Sequence, residues 1–223
     1  MNATISALPH IFIEFVISKI FPSNYAQRSK IFGHNSRSIK AKQDLYIELD
    51  KAFLEKEDQW NFEHSSYEQR RYLRLLSLAK SVPHAKILEF GCAEGNFTKH
   101  LTTISTDITA IDIVPTAIQR AKKMLPNVKF KVGRVENFTT NEYFDLIVCP
   151  ETLYYIDDEK TRLNVIRNFK NYGKYLLTSH FLLDPNGRNA ESSLTKLYPI
   201  HRSFIVSVTE QKLALIGLWN LSK

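Results

Sequence analysis

Glu89, Gly91, Gly95 and Asp112 are the residues of this chain whose types and spacing could hold a ligand. The first three lie in "ILEFGCAEGNFTKHL", Ile87 to Leu101, where an apolar run meets a turn bounded by two glycines. Only small or polar residues separate those glycines, so the backbone of the turn can approach a ligand closely. Asp112 follows 21 residues after Gly91, at the end of a second apolar run. A carboxylate there can accept hydrogen bonds from both hydroxyls of a ribose. On these residues alone a dinucleotide would serve as well. The turn itself argues against phosphate: Glu94 brings negative charge to it, and "NFTKHL" offers no third glycine for close packing. A cationic ligand suits Glu89 and Glu94 better.

The elements that must position these groups alternate. "YEQRRYLRLLSLAK" reads as a helix that stops before Pro83, and the strand Lys86 to Phe90 follows. After the glycine turn and a short helix come the strand "DITAIDI" and the helix "PTAIQRAKKML", with proline in its first turn. "NVKFKV", "YFDLIVC" and "KYLLTSHF" read as further strands, and "DDEKTRLNVIRNFKNYG" as a helix that opens on acids and closes on Gly173. Such alternation requires right-handed crossovers and a mostly parallel sheet covered on both faces. "HRSFIVSVT" and "KLALIGLWNL" are separated by too few residues for a crossover helix, so they form an antiparallel hairpin. The predicted fold is α/β and Rossmann-like: a mostly parallel seven-stranded sheet ending in an antiparallel hairpin, with helices on both faces. Ligands of such a sheet bind outside the carboxyl ends of its strands, where the glycine turn and Asp112 both fall.

Composition narrows the class. With 223 residues and 43% apolar content, the chain can bury one substantial core. Cys92 and Cys149 match no metal-ligand spacing and form no disulfide framework, which fits a reducing, cytoplasmic setting and predicts no metal. The net charge of +7 is uneven: residues 1–42 carry Lys19, Arg28, Lys30, Arg37, Lys40 and Lys42 against only Glu14, while the remainder is nearly balanced. We therefore divide the chain into a basic N-terminal extension, 1–42, and a domain over 43–223. The asymmetry argues against a broad nucleic-acid surface and confines any electrostatic partner to the extension. "HIFIEFVISKIF" in that extension is too short and too charged to span a membrane. It is expected either to pack on the domain or a second subunit, or to rest on the inner face of an anionic membrane.

S-adenosylmethionine carries a sulfonium, an ammonium and a ribose, the chemistry these residues ask for. "EFGCAEG", "AIDIVPTAIQRAK" and "FDLIVCPETLYYI" resemble the first, second and fourth motifs of class I S-adenosylmethionine-dependent methyltransferases. "DQWNFEHSSYEQRRY" and "ETLYYIDD" are similar to the NodS-like nodulation N-methyltransferases, whose members methylate an amino group on a chito-oligosaccharide. The resemblance runs from about Asp58 to Phe181. It implies that Gly91, Ala93 and Gly95 line the amino-acid end of the cofactor beside Glu89 and Cys92. It places Asp112 on the ribose with Ile113 next to it, and Pro150 at the end of the fourth strand. It also implies that Trp60, Tyr67 and Arg71 fold over the methionine end, with Arg71 meeting the carboxylate.

The chain departs from the family pattern in three places. Ala93 replaces the middle glycine of G-x-G-x-G. Arg134 stands where an aspartate often meets the adenine amino group, so adenine is expected to be read by the backbone near Val135. The stretch from Phe181 to Ile200 lies outside the resemblance and is read as a variable lid, long enough to select an acceptor. An amine acceptor must be presented uncharged, which needs a proton acceptor beside the methyl group. Glu151, at the end of the fourth strand, is the first candidate, with Tyr154 walling the channel and His180 second. The acceptor is expected to be a nitrogen or oxygen of a saccharide-like small molecule. A nucleic-acid amino-methyltransferase would carry Asp or Asn followed by Pro-Pro and an aromatic after the fourth strand, where this chain has "CPETLYY". A non-catalytic scaffold is the other alternative, and retention of both Gly91 and Asp112 argues against it.

Overall fold

The computed structural model describes residues 47, 49–58, 61–156, 158–182, 185–198, 200–209 and 212–222, with the side chains of 185 and 200–213 undescribed. The extension 1–42 and Trp60 therefore lie outside the described residues. A helical stretch over 49–55 leads into α1, Ser66–Ala79. The order then runs β1 Lys86–Phe90, α2 Thr98–Leu101, β2 Asp107–Asp112, α3 Pro115–Met124, β3 Lys129–Val132, β4 Phe144–Pro150, α4 Glu159–Tyr172, β5 Gly173–Phe181, α5 Pro185–Thr195, β6 Ile200–Thr209 and β7 Lys212–Asn220.

These strands form one seven-stranded sheet in the order β3-β2-β1-β4-β5-β7-β6. The first five pair in parallel, whereas β7 runs antiparallel to both β5 and β6. This is the expected Rossmann-like arrangement, and the strand order reverses between β1 and β4, beside the glycine turn. The central strands are buried on both faces, as their near-continuous apolar runs require. Alternation sorts their side chains. Ile87, Leu146, Val148 and Leu177 join Tyr72, Leu75 and Ile118 on the face covered by α1 and α3. Leu88, Ile147, Cys149 and Leu176 join Phe169, Ala190 and Leu194 on the face covered by α4 and α5.

Local chemistry explains where the helices start. Ser65 caps α1 by accepting the Glu68 N–H at 3.4 Å, and Asp158 caps α4 by accepting the Thr161 N–H at 2.7 Å. "SSYE" has the spacing of a capping box, yet the Glu68 carboxylate turns away to Arg71. Helix α3 opens with Pro115 and receives its anion from a distant segment: Asp50 Oδ1 accepts the Thr116 N–H at 3.3 Å.

Two expectations need correcting. Gly173 does not act as a left-handed helix cap; it opens β5 in extended backbone. Its missing side chain is required by packing, since a Cβ would stand 2.8 Å from Ile147 Cγ1 and 3.0 Å from the Phe144 carbonyl. The stretch after Phe181 is no loop either, because it contains α5, which packs on α4, on β5 and on the 3-10 turn Leu153–Tyr155. Proline at its first position starts the helix, and Gly187 lets it sit against the Phe181 carbonyl.

Candidate active site

The turn after β1 is built from left-handed backbone. Gly91 has φ +74°, Ala93 +47° and Gly95 +87°. Only glycine fits the first position, because a Cβ there would stand 2.1 Å from Thr152 Oγ1. The Gly91 and Cys92 N–H groups donate to the Ile111 carbonyl at 2.8 and 3.2 Å, which ties the turn to the end of β2. Ala93 takes a conformation costing an L-residue about 1–2 kcal/mol. Glycine would remove that strain and return about 0.4–1 kcal/mol through unfolded-state entropy. We expect Ala93→Gly to stabilise the protein by a net of about 0.5 kcal/mol in urea titration. A loss of stability would show that the methyl contact with the Phe53 cluster outweighs the strain.

Asp112 is wedged into the same turn. Its Oδ2 accepts the Ala93 N–H at 2.8 Å and its Oδ1 accepts the Val114 N–H at 2.9 Å. Backbone N–H groups, that of Ile113 among them, thus fix both oxygens in place, and a carboxylate so held can still accept from ribose hydroxyls. Burial pushes the Asp112 carboxyl up, and the backbone N–H groups pull it back down.

Glu89, fully buried at the end of β1, accepts the Thr98 hydroxyl at 2.6 Å through Oε2 and leaves Oε1 without a partner. An orphaned buried carboxylate oxygen beside the turn fits a ligand ammonium, so the residues present suit S-adenosylmethionine. Desolvation raises the Glu89 carboxyl from 4.5 to about 8, against the opposing pull of Thr98. Because its folded pKa is raised, its contribution to stability is complete below about 4.5 and is lost as pH rises through about 8. The unliganded protein should therefore weaken over that window, by at most about 1.4 kcal/mol per pH unit from this one group. Glu89→Gln should flatten the slope, and chemical unfolding at a series of pH values measures it. A slope equal to that of the unsubstituted protein would place Glu89 in solvent.

Glu94 corrects the expectation that it faces a cationic ligand. Arg120 Nη1 donates to its Oε1 at 2.6 Å and the Asp58 N–H donates to its Oε2 at 2.9 Å. Its charge is spent on clipping the segment before α1 to the turn. Asp58 in turn accepts the Phe62 and Glu63 N–H groups, at 2.6 and 3.0 Å, with Asp58 and Asn61 both left-handed. Phe53 extends this cover, packing with Val114 and Ala117 against Ala93 and Ile113. Nothing in the sequence marked Phe53 or Asp50 except that they precede the recognised motif. Arg134 ends its strand connection just before the 3-10 turn Val135–Asn137, and Val135 packs partly buried against the α4 face.

The end of β4 carries the second cluster. Glu151 follows Pro150 with φ +49°, an uncommon conformation for a non-glycine residue, and its N–H donates to the Ser179 carbonyl at 2.9 Å. Ser179 Oγ donates to Glu151 Oε1 at 2.8 Å and accepts from Arg71 Nη1 at 3.0 Å. Arg71 also holds Glu68 Oε2, through Nε at 2.8 Å and Nη2 at 2.6 Å, and stands 3.9 Å from Glu151. Burial raises the Glu151 carboxyl, whereas Arg71 and hydrogen bonds from Ser179 and Tyr154 lower it. Tyr67 is buried against the same group, and its hydroxyl is pushed up by desolvation and then by Glu151. Tyr154 packs on Tyr155 with ring centroids 4.7 Å apart and the rings tilted by 42°. Glu68 and Ser179 were missed in the sequence because neither residue type signals chemistry without its partners.

His180 is not brought to this cluster. It is adjacent to Ser179 on β5 and so points to the opposite face, the side of Thr178 and its hydrogen-bonded partner Trp219. Its ring is buried with both nitrogens unpartnered, and desolvation followed by Arg162 lowers it to about 3. Among the described residues no group of three or more His, Cys, Asp or Glu could hold a metal, and no helix is long and apolar enough to cross a membrane.

Comparison with known proteins matches this geometry to a family. The family model for nodulation protein S (NodS) matches residues 42–180. Nodulation protein S of Rhizobium tropici is 34% identical over 152 residues, 64% of this chain and 63% of that protein. The Sinorhizobium fredii protein is 36% identical over 119 residues, covering 52% and 55%. Each match spans less than two thirds of the relative's length. The crystal structure of N-methyltransferase NodS from Bradyrhizobium japonicum WM9 in complex with S-adenosyl-L-homocysteine aligns at a TM-score of 0.71 and 25% identity, over 78% of this chain and 97% of that one. A family match over more than half the chain, together with a left-handed glycine turn, Asp112 beneath it and Glu151 at the end of β4, makes this chain a member of the nodulation protein S family, with the class I S-adenosylmethionine-dependent methyltransferase fold.

Proposed function

We propose that the chain methylates an amino nitrogen of a saccharide-like small molecule. S-adenosylmethionine, when bound, supplies a methyl group activated by its sulfonium. The chain's own residues then have two tasks. Gly91, Ala93, Gly95, Glu89 and Asp112 hold that donor by its amino-acid and ribose ends, with the segment from Asp58 clipped over the turn. Glu151 meets the acceptor: as a carboxylate it binds the ammonium form, takes one proton, and leaves a nitrogen lone pair free to attack. The new N–CH3 bond would form as the donor's C–S bond breaks, with that bond's electron pair going to sulfur, and because Glu151 already holds the first proton the second would leave to solvent. Most of the rate then comes from positioning.

The observation that carries this reading is the charge around Glu151. Two carboxylates, Glu68 and Glu151, share one cation, Arg71. An acceptor that is itself cationic completes the balance, which favours an amine over a hydroxyl. The named relatives support the same choice, since the Bradyrhizobium enzyme is an N-methyltransferase. We further propose that residues 43–223 are the catalytic domain, that two free cysteines suit a cytoplasmic setting, and that the basic extension 1–42 docks to a partner or a membrane surface. A radiolabelled-methyl transfer screen over amino sugars, oligosaccharides, small amines and RNA tests the reading. Label on an amino-bearing saccharide is the expected result. Label on RNA alone would overturn it.

A further inference from the structure

We infer that Arg71 is a positioning residue for Glu151, acting through Ser179, and not the partner of a cofactor carboxylate. The inference rests on the reading that Glu151 serves the acceptor. The Arg71 side chain is only 4% exposed, against 21% for Glu151. Three of its five N–H donors, one from each nitrogen, are engaged: two go to Glu68 and one to Ser179, and its guanidinium lies 4.9 Å from the Tyr72 ring. To turn this enclosed guanidinium toward a ligand would break its two-point contact with the partly buried Glu68 carboxylate and its hydrogen bond to Ser179. What Arg71 does reach is the acceptor side. Ser179 accepts from it and donates to Glu151, so the three side chains form a directed chain from α1 to the end of β4.

That chain fixes a group whose backbone is already unusual. Glu151 is left-handed, and its carboxylate is turned back to the sheet by the Ser179 hydroxyl. The described groups facing it are Tyr67, Glu68 and Arg71 from α1, Tyr154 from the 3-10 turn, and Ser179 from β5. Arg71 favours its ionised form and Glu68 disfavours it. The pair on α1 therefore sets the proton affinity of Glu151 in opposite directions, and Ser179 fixes which way the carboxylate points. Because Asp58 ties the start of that same segment to Glu94 in the glycine turn, the donor side and the acceptor side are carried on one stretch of chain.

Two measurements on the full chain test this. The first is calorimetric titration of S-adenosylhomocysteine. Arg71→Gln and Arg71→Lys should change its affinity by less than about threefold, whereas loss of a carboxylate partner would cost on the order of tenfold or more. The second is nuclear magnetic resonance of glutamate labelled with carbon-13, with the Glu151 signal assigned by its absence in Glu151→Gln. The Glu151 titration midpoint should rise by about one pH unit or more in Arg71→Gln, rise by less in Ser179→Ala and fall in Glu68→Gln. Arg71→Lys should lie between Arg71→Gln and the unsubstituted protein. Structural damage alone would not move the midpoint in opposite directions. If Arg71→Gln does not fold, the opposed shifts of Ser179→Ala and Glu68→Gln decide. A tenfold or greater loss of ligand affinity in Arg71→Lys overturns the inference, as does a Glu151 midpoint that stays put in Ser179→Ala and Glu68→Gln. Failure of the unsubstituted protein to bind the ligand would instead reject the cofactor reading, and the titration would still decide the link to Glu151.

Discussion

Replacing Asp112 with alanine is expected to weaken S-adenosylhomocysteine binding about 100-fold, a loss of roughly 2–3 kcal/mol. The carboxylate holds both walls of the pocket, taking the Ala93 N–H on one oxygen and the Val114 N–H on the other. On the proposed reading, its remaining acceptor capacity serves the ribose hydroxyls. Alanine removes the charge-assisted contact and leaves two backbone donors near the turn without their partner, so the effect combines lost binding with a looser turn. Two controls separate these. Adenosine, which has the ribose but no amino-acid end, should lose affinity in Asp112→Ala and keep it in Glu89→Gln. Asp112→Asn keeps the shape but offers an amide NH2 toward one of the two backbone donors, so it should bind more weakly than the unsubstituted protein and better than Asp112→Ala. Unchanged calorimetric affinity in Asp112→Ala would remove Asp112 from the site.

The parts of the fold legible in the sequence were those fixed by periodicity and backbone sterics. Strand β1 was read with its observed limits, and α1 ended where Pro83 and the preceding residues required. The closing hairpin followed from a connection too short for a helix, and β6 and β7 pair antiparallel as that demands. What the spacing did not carry was the insertion of β7 between β5 and β6. Helix α5 was hidden because "PNGR" carries turn residues, and only docking on β5 turns that proline and glycine into helix-starting and close-packing positions.

The site divided along the same line. Gly91, Gly95 and Asp112 could be recognised because one loop conformation demands them. Glu94 was misread as facing a ligand, since its partners Arg120 and Asp58 lie 26 and 36 residues away in the chain. His180 and Ser179 show the same limit on a smaller scale. Both end β5, and a shift of one residue decides that the serine joins Glu151 while the histidine is sealed on the other face. Position along a strand was readable; face depended on register against β4 and β7.

The largest effect is expected at Glu151. Glu151→Gln should lower turnover on the acceptor found by the methyl-transfer screen by about 100-fold or more, while changing S-adenosylhomocysteine affinity by no more than a few-fold. Glutamine keeps the volume and an oxygen for the Ser179 hydroxyl, so the left-handed backbone and the chain to Arg71 can persist. What it loses is the ability to take a proton and the negative charge that an ammonium would meet. The pH dependence follows the same logic. Burial raises the Glu151 carboxyl while Arg71, Ser179 and Tyr154 lower it, and only the ionised form can accept a proton. The acidic limb of the kcat/KM profile should therefore rise with pH through the Glu151 midpoint, and that limb should disappear in Glu151→Gln. His180→Gln serves as the contrast: its ring lies on the far face with neither nitrogen partnered, so the acidic limb should survive that substitution even if stability changes. Normal turnover in Glu151→Gln would hand proton removal to solvent and leave Glu151 as part of the wall. Loss of the limb in His180→Gln would mean that the acceptor reaches the α5 side of β5, and the pocket would have to be redrawn on that face.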